Sequence, residues 1–287
     1  MTLEEKRAKT VQKLETLHNI ASIPKIIFEV SQVIKSDPGN SYKLAGTISK
    51  DQGLTTKVLS IANSPMYGLP RKVSSLEFAI MLMGTEEVHQ MVTAISLSDS
   101  FKFRSTDKFN YMDYWKHSML VGTAAKDIAR RLGHGDLSGE AFLSGMLHDI
   151  GMQIIATSFP DEFSSILNSV NSDLIFLKAE REILGLTHQE IGKYLIQKLK
   201  LPENLADVIE FHHTPSQSEK NSVLASIVHL ADSMTEEFKV GQVAWDNDIT
   251  FDLGIIEILG FSSAEKVVSF IAEYKEIFID SAAAIKL

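Results

Sequence analysis

An all-α protein is predicted by three features of this sequence. Apolar residues recur at spacings of three and four along almost the whole chain, which is the period of an amphipathic helix. Helix-breaking residues separate these stretches, as at Asp37-Pro38-Gly39-Asn40 and Gly133-His134-Gly135. Residues 240–245 have the composition of a short strand, but no partner segment supports a sheet. The sequence therefore favours a two-part helical bundle.

The helices predicted in the first half are bounded by recognisable stop and start signals. Asn63-Ser64-Pro65 ends one of them, because asparagine tolerates a left-handed C-cap and proline cannot continue a helix. Ser74-Ser75-Leu76-Glu77 resembles a capping box with Glu77 three residues after Ser74. The apolar spacing predicts helices over residues 26–34, 42–49, 54–62, 76–83 and 88–97.

Residues 98–109 are polar and irregular, which indicates a boundary between two parts of the chain. We predict an N-terminal helical subdomain over residues 1–105 and a second helical subdomain over residues 106–287. The second part is predicted to contain helices over residues 111–132, 138–156, 161–168, 173–184, 188–199, 201–213, 221–238, 251–259 and 264–277.

Composition excludes several kinds of site. The 287 residues include no cysteine, which rules out disulfides, thiolate nucleophiles, iron–sulfur clusters and Cys-type zinc fingers. A metal would therefore bind to His, Asp, Glu or backbone oxygen, and nine histidines are present. The net charge of −9 argues against a nucleic-acid surface, although it leaves room for a small phosphorylated ligand held by a metal.

The expected location is the cytoplasm. The first residues, Met1-Thr2-Leu3-Glu4-Glu5-Lys6-Arg7, are charged and lack the apolar core of a signal peptide. The chain contains no apolar run near the roughly 18 residues that a membrane span requires. No membrane association is expected.

The dipeptide His148-Asp149 lies in an otherwise apolar predicted helix. A buried imidazole and carboxylate must be hydrogen-bonded or metal-bound, because unpaired burial costs several kcal/mol. Further histidines, and one carboxylate in an apolar stretch, lie in the same half of the chain: His117, His188, His212, His213 and Asp232. These are the ligands that a divalent metal takes when cysteine is absent.

Each of these residues also has a simpler interpretation. A buried His or Asp can be satisfied by hydrogen bonds alone, and His188 at a helix start can be exposed. Successive helical residues point about 100° apart, so only one of His212 and His213 is expected to face a metal directly. We expect His229, three residues before Asp232, to have a core or interface role.

The His and Asp residues, together with motifs in the first half of the chain, resemble those of known families. The order His117, His148-Asp149, Asp232 is similar to the metal-ligand set of the HD phosphohydrolase superfamily. The first half resembles the HDOD family, whose segments read LPxLP, DPxLTxxLLxxANS and SIxxAIxxLG. The matching segments are Ile23-Pro24, residues 48–59, Ala62-Asn63-Ser64-Pro65 and residues 74–84. This resemblance covers roughly residues 12–240 and implies an HDOD-type N-terminal subdomain followed by an HD-like subdomain.

The resemblance also implies site residues and departures from the catalytic pattern. His188, His212 and His213 fall where the HD-GYP branch has extra histidines, and Glu140 falls where that branch carries an acidic residue. Met152 follows His148-Asp149-Ile150-Gly151, where active members usually have lysine. Thr214-Pro215-Ser216 follows the histidine pair without a Gly-Tyr-Pro loop. These departures count against turnover of a cyclic dinucleotide.

Two functions remain open from the sequence. HDOD proteins are generally regarded as signalling modules, so we favour a signal-transduction module that binds a signalling protein partner or a small phosphorylated ligand. The alternative is a metal-dependent phosphohydrolase acting on a nucleotide or cyclic dinucleotide. Either function is expected to use one or two divalent transition metal ions, and the ligand types suit iron, manganese, zinc or nickel alike.

Overall fold

We analysed a computed structural model of the 287-residue chain. The structure describes residues 1–16, 23–101, 109–170, 175–241, 243, 245 and 250–285. Within these residues the chain is helical and contains no β-strand, which confirms the predicted all-α class. No helix in this part of the chain is long and apolar enough to cross a lipid bilayer.

The helices have the following bounds in chain order. They are α1 (Leu3–Thr16), α2 (Lys25–Ser36), α3 (Ser41–Ile48), α4 (Gln52–Ala62), α5 (Leu76–Met83), α6 (Thr85–Ser100), α7 (Tyr111–Arg131), α8 (Ser138–Leu147), α9 (Ile150–Ser158), α10 (Pro160–Val170), α11 (Phe176–Leu184), α12 (His188–Lys198), α13 (Glu203–Phe211), α14 (Ser222–Phe238), α15 (Ile255–Ile258), α16 (Ala264–Ala272) and α17 (Lys275–Ala284). Short 3₁₀ helices lie at Pro65–Tyr67, Gly135–Leu137 and Pro215–Gln217.

Helices α2 to α6 form the N-terminal part, and α6 joins it to the rest of the molecule. One face of α6 packs against α2, α4 and α5, and another packs against α8. A continuous apolar core therefore extends from Leu14 through the N-terminal helices to Ile209 in α13. The predicted boundary between residues 105 and 106 falls in residues 102–108, outside the described residues, and the domain division stays a prediction.

Two local signals act differently from the way the sequence suggested. Asn63 is not left-handed, since its φ is −91°. Instead its side-chain amide donates to the carbonyls of Leu59 and Val73, and its side-chain oxygen accepts the backbone N–H of Val73. The N-cap of α5 is Ser75, whose hydroxyl accepts the backbone N–H of Phe78. The capping box predicted for Ser74 and Glu77 is therefore wrong, because the third residue after the N-cap is Phe78, which has no side-chain acceptor.

The second half is built on α7, which packs along α8 and α14. Helix α9 packs on α12, and α12 packs on α13, so that α7, α8, α12, α13 and α14 surround one interior region. At the C-terminus, α17 returns to the 3₁₀ turn at residues 65–67, where the Ser281 hydroxyl accepts the backbone N–H of Met66 at 3.0 Å.

Three predicted helices in this half differ from the observed ones. The helix predicted over residues 138–156 is broken between α8 and α9, because Asp149 leaves helical geometry (φ −95°, ψ 16°). The segment predicted at 251–259 is helical only over α15, and the segment predicted at 264–277 divides into α16 and α17. No strand forms at Val243 or Trp245, and the start of the helix predicted from residue 173 lies outside the described residues.

Candidate metal centre

Seven side chains converge in the region enclosed by α7, α8, α12, α13 and α14. They are the seven metal-ligand candidates of the sequence, and each is between 0 and 3% exposed. Their ligand atoms form two groups, each small enough to surround one ion. The residues are His117, His148, Asp149, His188, His212, His213 and Asp232.

The first group consists of His117, His148 and Asp232. The two Nε2 atoms of His117 and His148 lie 3.2 Å apart. Oδ1 of Asp232 lies 3.3 Å from Nε2 of His117 and 3.6 Å from Nε2 of His148. Separations of this size are typical of atoms that share a metal ion with bonds of about 2.1 Å.

The second group consists of Asp149, His188, His212 and His213. Nε2 of His188 lies 3.4 Å from Nε2 of His212 and 3.2 Å from Nε2 of His213. Helix α13 ends at Phe211, and His212 and His213 follow its last turn, so the two rings turn toward His188 together. The structure therefore brings both members of the pair to the centre, where helical geometry predicted only one.

The carboxylate of Asp149 lies between the two groups. Its Oδ2 is 3.7 Å from Nε2 of His117 and 3.5 Å from Nε2 of His148. Its Oδ1 is 3.4 Å from Nε2 of His188 and 3.7 Å from Nε2 of His212. One oxygen thus faces each group, which is the position of a carboxylate that bridges two ions.

Hydrogen bonds at Nδ1 orient four of the five rings. His117 donates from Nδ1 to the carbonyl of Gly241 at 3.1 Å, and His148 donates to the carbonyl of Gly145 at 2.8 Å. The acceptors of the Nδ1 protons of His188 and His212 are the Glu180 carboxylate at 3.0 Å and the Ile209 carbonyl at 2.8 Å. Carbonyl and carboxylate oxygens only accept, so the neutral rings carry their proton on Nδ1 and present a lone pair at Nε2.

These tautomers decide what can lie between the rings. Two neutral imidazoles with protons on Nδ1 cannot share a hydrogen bond between their Nε2 atoms. The short Nε2–Nε2 contacts within each group therefore require an extra proton or a bound cation.

The local charges favour a proton in the first group and oppose one in the second. Burial lowers the pKa of His148, but Asp149 and Asp232 outweigh it and raise that pKa overall. Burial also opposes ionisation of Asp232, yet His148 and His117 hold its pKa well below the usual range. In the second group, burial and the neighbouring histidines lower the pKa of His212 and His213 well below 6.5. Neutral imidazole is the form that binds a metal.

Three buried polar atoms at the centre have no hydrogen-bond partner in the described part of the chain. They are Oδ1 of Asp149, Oδ1 of Asp232 and Nδ1 of His213. An unpaired buried carboxylate oxygen is costly unless a cation compensates it. The donor set and these oxygens together fit one or two divalent ions.

Close helix contacts at glycine bring the ligands together. A Cβ on Gly145 in α8 would lie 2.8 Å from the Cα of Gly122 in α7, and this contact places His148 beside His117. A Cβ on Gly151 in α9 would lie 1.9 Å from the carbonyl oxygen of His188. Glycine is required at both positions because any side chain would push the helices, and the ligands on them, apart.

Two residues at the centre were absent from the sequence prediction. The Glu180 carboxylate accepts both Nδ1–H and the backbone N–H of His188. It lies on the apolar face of α11 with Phe176 and Leu184, and a charged residue at such a position was a detectable signal. Trp245 donates from Nε1 to Oδ2 of Asp149 at 2.6 Å. It lies in an irregular segment 96 residues from Asp149, and no local pattern indicated this contact.

Two other residues lie outside both groups. His229 donates from Nδ1 to the carbonyl of His212 at 2.8 Å and accepts the backbone N–H of Asp252 at Nε2. Its ring is buried and supports the chain around the centre. Glu140, matched by position to an acidic residue of the HD-GYP branch, is exposed and accepts a hydrogen bond from Asn204.

Replacement of Glu180 by glutamine is expected to weaken metal binding to the second group about 10–100-fold, the usual effect of losing a partner that orients a ligating histidine. The amide keeps one acceptor but removes the charge that holds His188. Metal titration of the variant measures the effect. Glu190→Gln is the control, because Glu190 serves the capping box at Thr187. Equal affinities for the two variants would contradict a role for Glu180 in orienting His188.

Comparison with known proteins shows the family to which this chain belongs. The profile of the HDOD domain matches residues 20–215, more than half of the chain. The protein belongs to the HDOD family. A solved HDOD domain protein of unknown function from Geobacter sulfurreducens is 24% identical, with a TM-score of 0.77 and full coverage of both chains. A protein from Shewanella amazonensis, provisionally named a phosphohydrolase, is 23% identical over 98% of this chain and 99% of its own, with a TM-score of 0.73. These likenesses show the fold.

Relatives matched by sequence are longer than this chain. An uncharacterised protein of Treponema pallidum is 23% identical over 242 residues, which is 81% of this chain and 45% of the relative. Ribonuclease Y of Acholeplasma laidlawii is 26% identical over 159 residues, which is 55% of this HDOD chain and 24% of that enzyme. The chain thus spans less than half the length of either relative.

Proposed function

We propose that this HDOD protein is a signal-transduction module whose His/Asp centre binds one or two divalent transition metal ions and, through them, a small phosphorylated ligand. The observation that carries the proposal is the convergence of seven buried His and Asp side chains, whose ligand atoms form two groups that are each small enough to surround one ion. A protein partner would respond to whether the module has bound its ligand, as the signalling role implied by the family resemblance requires. Iron, manganese, zinc and nickel all suit this ligand set.

The seven side chains of the centre would be shared between two ions. His117, His148 and Asp232 would hold one ion, while His188, His212 and His213 would hold the other, and Asp149 would serve both. Ions bound there supply concentrated positive charge that attracts and polarises phosphate oxygens. Glu180 and the carbonyls of Gly241, Gly145 and Ile209 hold the rings in place for this purpose.

Residue 152 favours binding over turnover. Met152 is fully buried in the apolar core, so it offers no cation at the position where catalytic HD-GYP relatives usually have lysine. Thr214 and the 3₁₀ turn at Pro215–Gln217 occupy the region where those relatives have the Gly-Tyr-Pro loop. These differences remove groups that would bind the phosphate of a substrate during hydrolysis.

A second function, metal-dependent hydrolysis of a nucleotide or cyclic dinucleotide, is favoured by one observation. The Asp149 carboxylate faces both groups, and a shared carboxylate is typical of the two-metal centres that cleave phosphate esters. The provisional name of the Shewanella amazonensis protein points in the same direction.

Elemental analysis followed by an activity assay tests the proposal. Protein purified without chelators is expected to contain at least one equivalent of a divalent transition metal. Its turnover of nucleotide phosphoesters and cyclic dinucleotides is expected to match that of Asp149→Asn. A protein that cannot be loaded with any of the four metals would overturn the metal assignment. Turnover that Asp149→Asn abolishes would instead establish the phosphohydrolase.

A further inference from the structure

One cavity in the N-terminal part of the molecule is separate from the metal centre. It has a volume of about 310 Å³ and lies between the end of α4 and the loop that follows. Its wall consists of residues 62–65, Leu69, Arg71 and Lys72, and we call it the Arg71 cavity. It includes the Asn63-Ser64-Pro65 motif, to which the metal centre gives no role.

The wall of the Arg71 cavity is positively charged. Its lining residues include two cations, Arg71 and Lys72, and no carboxylate. Both cations are exposed, and neither forms an ion pair within the described part of the chain. Residues 52–76 contain no Asp or Glu, although the whole chain has a net charge of −9. Because the third cation of this segment, Lys57, is paired with Asp99, the positive charge is concentrated at the cavity, where it attracts an anionic group.

A buried hydroxyl in the same wall has no partner. Ser64 is only 4% exposed. Its hydroxyl does not cap the 3₁₀ helix that follows, and it forms no other hydrogen bond with the described residues. A ligand that accepts a hydrogen bond would compensate this buried donor. Since a carboxylate accepts from hydroxyl, guanidinium and ammonium groups alike, the donors of the cavity match a carboxylate.

Hydrogen bonds of Asn63 hold the loop that carries these donors. Its side-chain amide donates to the carbonyl of Val73, and its side-chain oxygen accepts the backbone N–H of Val73, each at 2.8 Å. Together these bonds close the loop over residues 63–73. Gly68 turns the loop at a φ of 69°, which glycine adopts readily, and Pro70 fixes a further φ. A loop held in one shape loses little entropy when it binds a ligand.

An exposed apolar strip on α5 lies next to this loop. Leu69, from the cavity wall, and Phe78, from α5, pack on the same small core. Phe78, Met81 and Leu82 share one face of α5, since they are spaced at i, i+3 and i+4. Met81 is 67% exposed and Leu82 is 36% exposed. Glu77, the carboxylate of α5, does not line the cavity. Apolar side chains exposed beside unpaired cations are typical of a surface that binds another protein.

We propose that the Arg71 cavity and the exposed face of α5 bind an acidic amphipathic helix of a signalling protein. Carboxylates of that helix bind to Arg71, Lys72 and the Ser64 hydroxyl, while its apolar side chains pack on Met81 and Leu82. A small free anion would contact the cavity but leave the strip on α5 uncovered. This inference rests on the proposed function, because it gives the chemistry of the protein partner that a signal-transduction module requires.

Fluorescence anisotropy with labelled synthetic peptides tests this chemistry. The acidic peptide is a helix of about 14 residues with leucine at i, i+3, i+4 and i+7 and glutamate on the opposite face. One control peptide has lysine in place of glutamate, and a second has the acidic composition with the leucines spread around the helix. The acidic amphipathic peptide is expected to bind about tenfold more tightly than either control. No binding, a preference for the lysine peptide, or equal binding of the two acidic peptides overturns the inference.

Variants of the chain locate the bound peptide. The double substitution Arg71→Gln/Lys72→Gln is expected to weaken binding of the acidic peptide about tenfold. Met81→Gln is expected to weaken it as well, since the strip on α5 loses an apolar contact. The matched control is Lys220→Gln/Lys266→Gln, which makes the same change in net charge at two exposed lysines outside the cavity and is expected to leave the affinity unchanged. Equal losses in the two double variants would indicate a general charge effect and overturn the inference.

Lipid vesicles and metal content separate this inference from its alternatives. Phosphatidylserine vesicles are expected not to bind, because the net charge of −9 opposes an anionic surface. Vesicle binding that depends on Arg71 and Lys72, without peptide binding, would overturn the inference in favour of a lipid. If metal-loaded protein binds no acidic peptide, the inference fails and the metal centre stands. The metal content of the same samples tests the metal centre independently, and protein without metal overturns that centre whatever the peptides show.

Discussion

Asp149→Asn is expected to remove metal from both halves of the centre, lowering the affinity of each by more than about 100-fold. One carboxylate oxygen faces each group, and the amide that replaces it offers one weak ligand atom, a nitrogen that cannot ligate and no charge. The expected loss exceeds the roughly 10–100-fold effect of removing a supporting partner. Elemental analysis and metal titration measure it, with circular dichroism to show that the helices persist.

Asp232→Asn is the matched control, since it removes the same charge from a buried ligand. Within the described part of the chain, the close nitrogen contacts of the Asp232 carboxylate are to the first group, at His117 and His148. Its substitution is expected to release one ion while Asp149, His188, His212 and His213 retain the other. If the two variants lose the same amount of metal, Asp149 does not act as the shared ligand.

Gly151→Ala is expected to destabilise the fold by about 1–3 kcal/mol, the usual effect of overpacking a close-packed core. The new methyl group would lie 1.9 Å from the carbonyl oxygen of His188 and 2.9 Å from the backbone nitrogen of Gly192. Both are backbone atoms, so α9 and α12 must separate, and His188 must move away from Asp149. Denaturant unfolding measures the stability, and metal titration is expected to show weaker binding in the second group.

Gly46→Ala provides the contrast. Gly46 lies in α3 with nothing within 4 Å of a Cβ, so alanine is expected to stabilise the helix by about 0.5–1 kcal/mol. A Gly151→Ala protein that unfolds like the unmodified chain, with unchanged metal affinity, would show that the contact between α9 and α12 can relax without cost.

Much of the helical pattern was predictable because it depends on local information. The helix predicted over residues 111–132 corresponds to α7, and that predicted over 188–199 corresponds to α12. Each combines a repeating apolar face with capping residues, such as Asn110 before α7 and Thr187 before α12. Where the apolar pattern continued through a turn, as at His148-Asp149, periodicity alone predicted one helix instead of two.

The candidate site, like the fold, was predictable from the sequence only in part. The absence of cysteine pointed to His and Asp as ligands, and the resemblance to the HD superfamily singled out the seven side chains that converge. Their partition into two groups around Asp149 was not predictable, because it depends on how closely α7 approaches α8 and α9 approaches α12. The contact of Trp245 was not predictable either, because its hydrogen bond to Asp149 joins two segments that lie far apart in the sequence.

By itself, the sequence determined the all-α class, the apolar faces of the helices and the chemistry of the metal-ligand candidates. These properties follow from residue type and from a period of 3.6 residues, which act within a few turns of chain. Only the tertiary structure decided which atoms face each other and which ring nitrogens carry protons. Those features are set by contacts between residues tens to hundreds of positions apart, at glycines whose missing side chains allow helices to touch.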